Sequence, residues 1–129
     1  MIVLNPGKEK NLLKHHPWVF SGAIDLEKSE GARVGINKVV SSDNRFVAWG
    51  YYDQDSHIWL RLLSWKENET VDEQWWRDKI RQSVLRRKSF FVPSSDTNVF
   101  RIIHGEADMI GGVAADVYGR IIRIIISSR

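Results

Sequence analysis

Gly7-Lys8-Glu9-Lys10-Asn11-Leu12-Leu13-Lys14-His15-His16-Pro17-Trp18-Val19-Phe20-Ser21-Gly22-Ala23-Ile24 is the stretch that organises the chain. It opens as a short basic amphipathic turn, with Lys8, Lys10 and Lys14 around the apolar pair Leu12-Leu13. Pro17 ends that turn, because its ring removes a donor and pushes His16 out of the helical region. An aromatic and apolar run follows and closes on Ser21-Gly22, where glycine permits a bend or a close backbone approach. The expected order is basic turn, stop and buried strand over residues 18–24, with Trp18 and Phe20 in the core. Such an arrangement is compatible with holding a phosphate backbone.

Working outward, residues 1–5 read as a first strand ended by the turn pair Pro6-Gly7. Residues 25–35 form a polar connection punctuated by Gly31 and Gly35. Residues 38–42 and 46–52 predict a hairpin, since Ser41-Ser42-Asp43-Asn44-Arg45 is turn chemistry. Residues 57–65 predict the clearest strand of this half. Ile58, Leu60 and Leu62 make its core face, and His57, Trp59, Arg61, Leu63 and Trp65 the other. That second face has two readings: a base-stacking surface, or aromatics packed on another segment. Short strands with frequent turns point to a small barrel.

The charged segment 66–70 is a linker, and a helix start follows. Thr70-Val71-Asp72-Glu73 has the spacing of a capping box, in which two orphan backbone donors are satisfied reciprocally. Trp76, Ile80, Val84 and Phe91 recur near helical spacing and predict its buried stripe. Asp72 and Glu73 at the start, with Arg86, Arg87 and Lys88 near the end, suit the helix macrodipole. Pro93 and the polar residues 94–98 end it. Strands are then expected at residues 100–104, 113–117 and 121–126, the last two joined at Tyr118-Gly119.

With 129 residues, a hydrophobic share of 43% and a charged share of 27%, the chain suits a small domain plus part of another. The net charge of +3 leans weakly towards an anionic partner. Zero cysteines exclude disulfides, thiolate zinc sites and a cysteine nucleophile within this chain, and fit a reducing cytoplasm. No apolar run approaches the roughly 18 residues of a membrane span, so no membrane partner is expected. The adjacent histidines His15 and His16 point apart, lack a second ligand pair and do not form the His-Glu-x-x-His metal motif. His104, Glu106 and Asp108 lie close together, and the expected role of the two carboxylates is to cap backbone donors. No catalytic residue, cofactor-binding residue or metal ligand is identified. Neither glycine-rich phosphate-binding motif occurs.

The opening stretch, written Gly-Lys-Glu-Lys-x-Leu-Leu-Lys-x-His-Pro-Trp-Val-Phe-Ser-Gly-Ala-Ile, resembles the start of the PUA domain of bacterial ribosomal-RNA cytosine-C5 methyltransferases that depend on S-adenosyl-L-methionine (SAM). The later string Arg-x-Ile-x-Gly-Glu-x-Asp…Gly-x-x-x-Asp-x-Tyr-Gly resembles the opening of that family's central domain. Met109 and Gly111 stand where the family carries the Gly and Pro of Asp-Gly-Leu-Pro-Gly, which puts the local turn in question. The resemblance implies a mainly β, α+β chain: a PUA-like small β-barrel over residues 1–68, then a linking helix and an incomplete β-rich central domain over residues 69–129. It places SAM and the catalytic cysteines in a C-terminal domain beyond this sequence, so that the chain binds RNA, as part of a cytoplasmic rRNA-modifying enzyme, and does not itself methylate.

The expected phosphate-contacting residues are Lys8, Lys10, Lys14 and His15 on the basic turn, Arg61 on the barrel, and Arg86, Arg87 and Lys88 on the helix. Charge and placement carry these assignments, and the resemblance supports only the first group. Two other classes stay open: a free-standing PUA-type RNA-binding protein, and a protein-interaction module. The second follows from the terminal run Ile121-Ile122-Arg123-Ile124-Ile125-Ile126, an apolar strand whose bare edge invites pairing with another chain, including a homodimer. A fragment of a longer protein would explain that ending more simply.

Overall fold

The computed structural model describes residues 1–90 and 96–127. Phe91, Pro93 and the first residues of the expected helix stop lie outside the described residues, as do the last two of the chain. The fold is mainly β with α, and its contacts divide into two compact units, Met1–Val71 and Asp72–Ser128.

The first unit is a five-stranded sheet in the order β1-β3-β4-β5-β2. Its strands are β1 (Ile2–Val3), β2 (Trp18–Val19), β3 (Gly35–Val40), β4 (Phe46–Tyr52) and β5 (Leu60–Ser64), with a single helical turn, α1 (Glu9–Leu12), between the first two. β3 and β4 make the expected antiparallel hairpin, from Gly35 opposite Tyr52 to Val40 opposite Phe46. Its turn closes where the Ser41 N–H donates to the Arg45 carbonyl at 2.9 Å. Asn44 there takes φ 65°, a left-handed conformation that Asn tolerates. A bridge between Leu4 and Ile24 joins the chain just after β1 to the chain just after β2. The two edges of the sheet are thereby drawn together, and the sheet curls around one core. Ile2, Leu4, Val39, Ala48 and Leu60 are fully enclosed in it.

Two expectations change here. The strand predicted over 18–24 stops after Val19, because Ser21–Ala23 winds into a 3-10 turn. β5 has no solvent face: all of Leu60–Ser64 is buried. Trp59 and Trp65, which flank it, pack against the core cluster, so the packing reading replaces the stacking one. β4 must also come close to β5 at Gly50. A Cβ there would lie 2.9 Å from Leu60 Cδ1 and 3.0 Å from the Arg61 carbonyl oxygen, a space only glycine fits.

The second unit consists of α2 (Glu73–Phe90) and the antiparallel meander β6 (Val99–His104), β7 (Val113–Tyr118) and β8 (Ile121–Ile126). The cap of α2 is Asp72, whose Oδ1 accepts the Trp75 N–H at 2.9 Å; Thr70 lies upstream of the helix. The buried face also differs from the expected stripe. Trp75 and Ser83 are buried, whereas Ile80 is 43% exposed. The buried Trp75 and Ser83 each precede an expected position, Trp76 and Val84, by one residue. Trp76 still joins the core of Ile103, Ile110 and Ala115. Met109 takes φ 61°, so the turn keeps the left-handed geometry that the family's glycine would supply.

Candidate nucleic-acid interface

The basic turn is a short element fixed from below. Leu12 is buried, and its carbonyl accepts the indole N–H of Trp65 at 2.7 Å. His15 has φ 67° and stacks flat on the Trp65 ring, with centroids 4.6 Å apart and planes 14° apart. These contacts turn Lys8, Lys10 and Lys14 outward, and all three are exposed. Among the described residues none of the three lysines takes part in an ion pair. Their charge is therefore available to an anionic ligand.

Pro17 then sets up a second surface. Its carbonyl accepts the Leu62 N–H at 2.7 Å, and Trp18 and Val19 pair with Arg61 and Leu60 at the edge of the sheet. Strand alternation puts Val19 inside and Trp18 outside. The 3-10 turn at Ser21 then leaves Phe20 outside as well. Trp18 is 39% and Phe20 47% exposed, which corrects their assignment to the core. Each ring is supported edge-on by a histidine: His16 lies 6.3 Å from Trp18, and His57 lies 6.1 Å from Phe20. His16 Nδ1 also accepts the Trp18 N–H, at 3.4 Å. Lys8, Asn11, His16, Trp18 and Phe20 line an open groove of about 410 Å³, floored by Leu12 and Val19.

The other expected contacts fall elsewhere. Arg61 is buried, and its Nη1 donates to Ser56 Oγ at 3.1 Å and to the Ile58 carbonyl at 3.2 Å. It braces the loop before β5. In the second unit Arg86 and Arg87 both hold Asp108, at 3.2 and 2.8 Å, and the Asp108 side chain is only 1% exposed. Asp108 accepts the His104 N–H at 2.7 Å too, so it does cap a backbone donor, and it fastens α2 to the turn after β6. Lys88 is exposed. The structure thus gathers Lys8, Lys10, Lys14 and His15 on one turn, and assigns Arg61, Arg86 and Arg87 to internal contacts. The residues missed in sequence are Trp18, Phe20, His16 and Asn11. Their signal was Pro17 followed by alternation at an edge strand. Among the described residues no helix is long and apolar enough to cross a membrane, and no three His, Asp or Glu side chains gather as metal ligands.

Residues 2–65 match the model of a PUA-like domain. The chain is 31% identical over 121 residues to a ribosomal RNA large subunit methyltransferase I of Pseudoalteromonas atlantica, a match covering 94% of this chain and 30% of that relative. Among solved structures, a Streptococcus mutans chain assigned as a SAM-dependent methyltransferase superposes with a TM-score of 0.81 at 19% identity, over 98% of this chain and 32% of the other. A second, assigned as a methyltransferase and solved with SAH, gives a TM-score of 0.75 at 20% identity, over 100% and 33%. At those identities the solved structures establish a shared fold. The chain spans about 30% of the length of the curated relatives it matches.

Proposed function

Because residues 2–65 are a PUA-like domain and the chain is homologous to ribosomal RNA large subunit methyltransferases, we propose that it is the RNA-binding module of a SAM-dependent rRNA (cytosine-C5) methyltransferase. One observation carries the proposal: the basic turn exposes Lys8, Lys10 and Lys14 free of ion pairs, and Lys8 lines an open groove together with the exposed rings of Trp18 and Phe20. Phosphate contacts supply most of the affinity and set the register of an RNA, without reading its sequence. Lys8, Lys10 and Lys14 make those contacts, with His15 holding the turn in place on Trp65. Lys88 is a further candidate in the second unit. Arg61, Arg86 and Arg87 act by shaping the scaffold.

In this reading SAM is held outside the described residues. Apart from the two-residue parallel pair of β1 and β3, their strands are antiparallel, unlike the parallel sheet on which the doubly wound nucleotide-binding fold is built. In this reading the cofactor and the chemistry belong to other parts of the enzyme, and the module delivers ribosomal RNA to them in a reducing cytoplasm.

Salt dependence tests the proposal. RNA binding by the 129-residue chain should weaken linearly on a log–log salt plot, by roughly 0.7 to 0.9 of a unit of slope per phosphate contact. Replacing Lys10 and Lys14 together with Ala should lower affinity and flatten the slope by about two contacts' worth. Unchanged affinity and slope in the double variant would remove the basic turn from the site.

A further inference from the structure

We infer that the groove beside the basic turn is a subsite for an unpaired nucleobase, so that the module grips single-stranded or looped RNA in preference to duplex. The inference rests on the RNA-binding reading and goes beyond it. A site for phosphates alone needs only cations, and the lysines of the turn already provide them. Trp18 and Phe20 supply something a phosphate cannot use: two large ring faces in contact with water, 39% and 47% exposed. In an A-form helix the base faces are stacked on one another and out of reach, whereas unpaired bases can be splayed onto aromatic side chains.

The rings are also held ready. His16 stands edge-on to Trp18 with planes 90° apart, and His57 edge-on to Phe20 at 73°. These edge contacts favour one orientation of each ring before any ligand arrives, which reduces the ordering cost of binding. At about 410 Å³ the groove falls within the range of roughly 300–1,000 Å³ usual for small-ligand sites. Asn11 brings an amide with donor and acceptor to its wall, the groups a base edge pairs with. Lys8, on the same wall, suits the phosphate that the base carries with it. Charge, ring faces and amide together match a nucleotide better than an apolar peptide, which would leave the lysine and the amide without partners.

The test compares two labelled RNAs on the 129-residue chain by fluorescence anisotropy: a short oligouridylate and an A·U duplex of the same length. The duplex carries twice the phosphates, so electrostatics alone favours it. Tighter binding of the single strand is the expected result. Trp18→Ala and Phe20→Ala should each weaken single-strand binding roughly five- to 150-fold, the range for loss of one stacking ring, and weaken duplex binding far less. Trp18→Phe should recover most of the loss, which separates a lost ring from a damaged fold. Duplex preference, or alanine variants that bind the single strand like the parent, would overturn the base subsite while lysine- and salt-dependent binding kept the RNA-binding reading intact. Failure of both RNAs to bind would overturn the two together.

Discussion

Arg101 grips Asp116 across two strands, Nε to Oδ1 at 2.7 Å and Nη2 to Oδ2 at 3.0 Å. The two residues are direct cross-strand partners of β6 and β7, beside the shift of register between Arg101 and Ile103, and a bidentate fork of this kind is among the stronger ion-pair geometries. Arg101's hydrogen bonds are the main reason the Asp116 carboxyl sits below the ordinary carboxylate range; desolvation opposes them, and the charges of Arg101, Arg123 and His104 assist. A lowered native pKa means that the pair stabilises the folded state above the unfolded value of about 3.9, and that this contribution is lost as pH falls through the native value. Denaturant midpoints measured against pH should therefore drop on acidification, and Asp116→Asn should flatten that limb. A variant with the parent's acid limb would assign it to other carboxylates. The same scale shows why parts of the site were hidden in the sequence. Trp18 is more apolar than Arg61, yet Trp18 meets water and Arg61 is enclosed. Residue type gives the cost of burial, and position in the sheet decides whether burial happens: β2 is an edge strand and β5 lies one strand further in.

At the scale of elements, α2 shows how near a local signal can come. Thr70 and Asp72 are both good cap residues, and the Thr-x-x-Glu spacing favours the first; the helix begins at Glu73 and Asp72 takes the cap, because its carboxylate reaches the Trp75 N–H. Asp72→Ala should lower stability by about 1 kcal/mol, and Thr70→Ala should leave it nearly unchanged. Thermal melts of the two variants check this, and equal losses would restore the capping box. Hairpins were the most legible elements. The β3–β4 turn announced itself through Ser, Asp and Asn, and the β7–β8 turn through Tyr118-Gly119, because turn geometry is set by a few consecutive residues. β2 and the face of α2 were less legible, since both depend on partners distant in sequence. β2 extends only as far as β5 offers a ladder. The α2 face is rotated towards Ser83, whose small side chain carries no hydrophobic signal. The basic turn was readable as charge, while the groove next to it was less so, because its aromatic wall depends on β2 lying at the edge of the sheet.

For the molecule as a whole, β8 carries a large exposed apolar face. Ile122, Ile124 and Ile126 stand opposite Val117, Ala115 and Val113, so they share the face of β7 that packs into the core. Ala115 is buried there, but the three isoleucines are 59%, 63% and 66% exposed. The core of the second unit stops one strand short of its sheet. β8 also ends the strand order, and its outer backbone groups have no neighbouring strand among the described residues. An apolar face beside an open ladder is a template for another strand, and covering each isoleucine is worth roughly 1.5–3 kcal/mol. We propose that in a solution of the 129-residue chain alone a second copy covers this face. Sedimentation velocity on the 129-residue chain should show self-association that grows with concentration. Ile122→Thr with Ile124→Thr keeps β-branched residues in the strand while removing much of the apolar face, and it should shift the chain towards monomer at every concentration. High salt should leave the association of the parent in place, because an apolar contact is not screened, while the same salt weakens RNA binding. A parent chain that sediments as a monomer throughout would show that the exposed face is tolerated unpaired. Association unchanged by the two substitutions would place the contact away from β8.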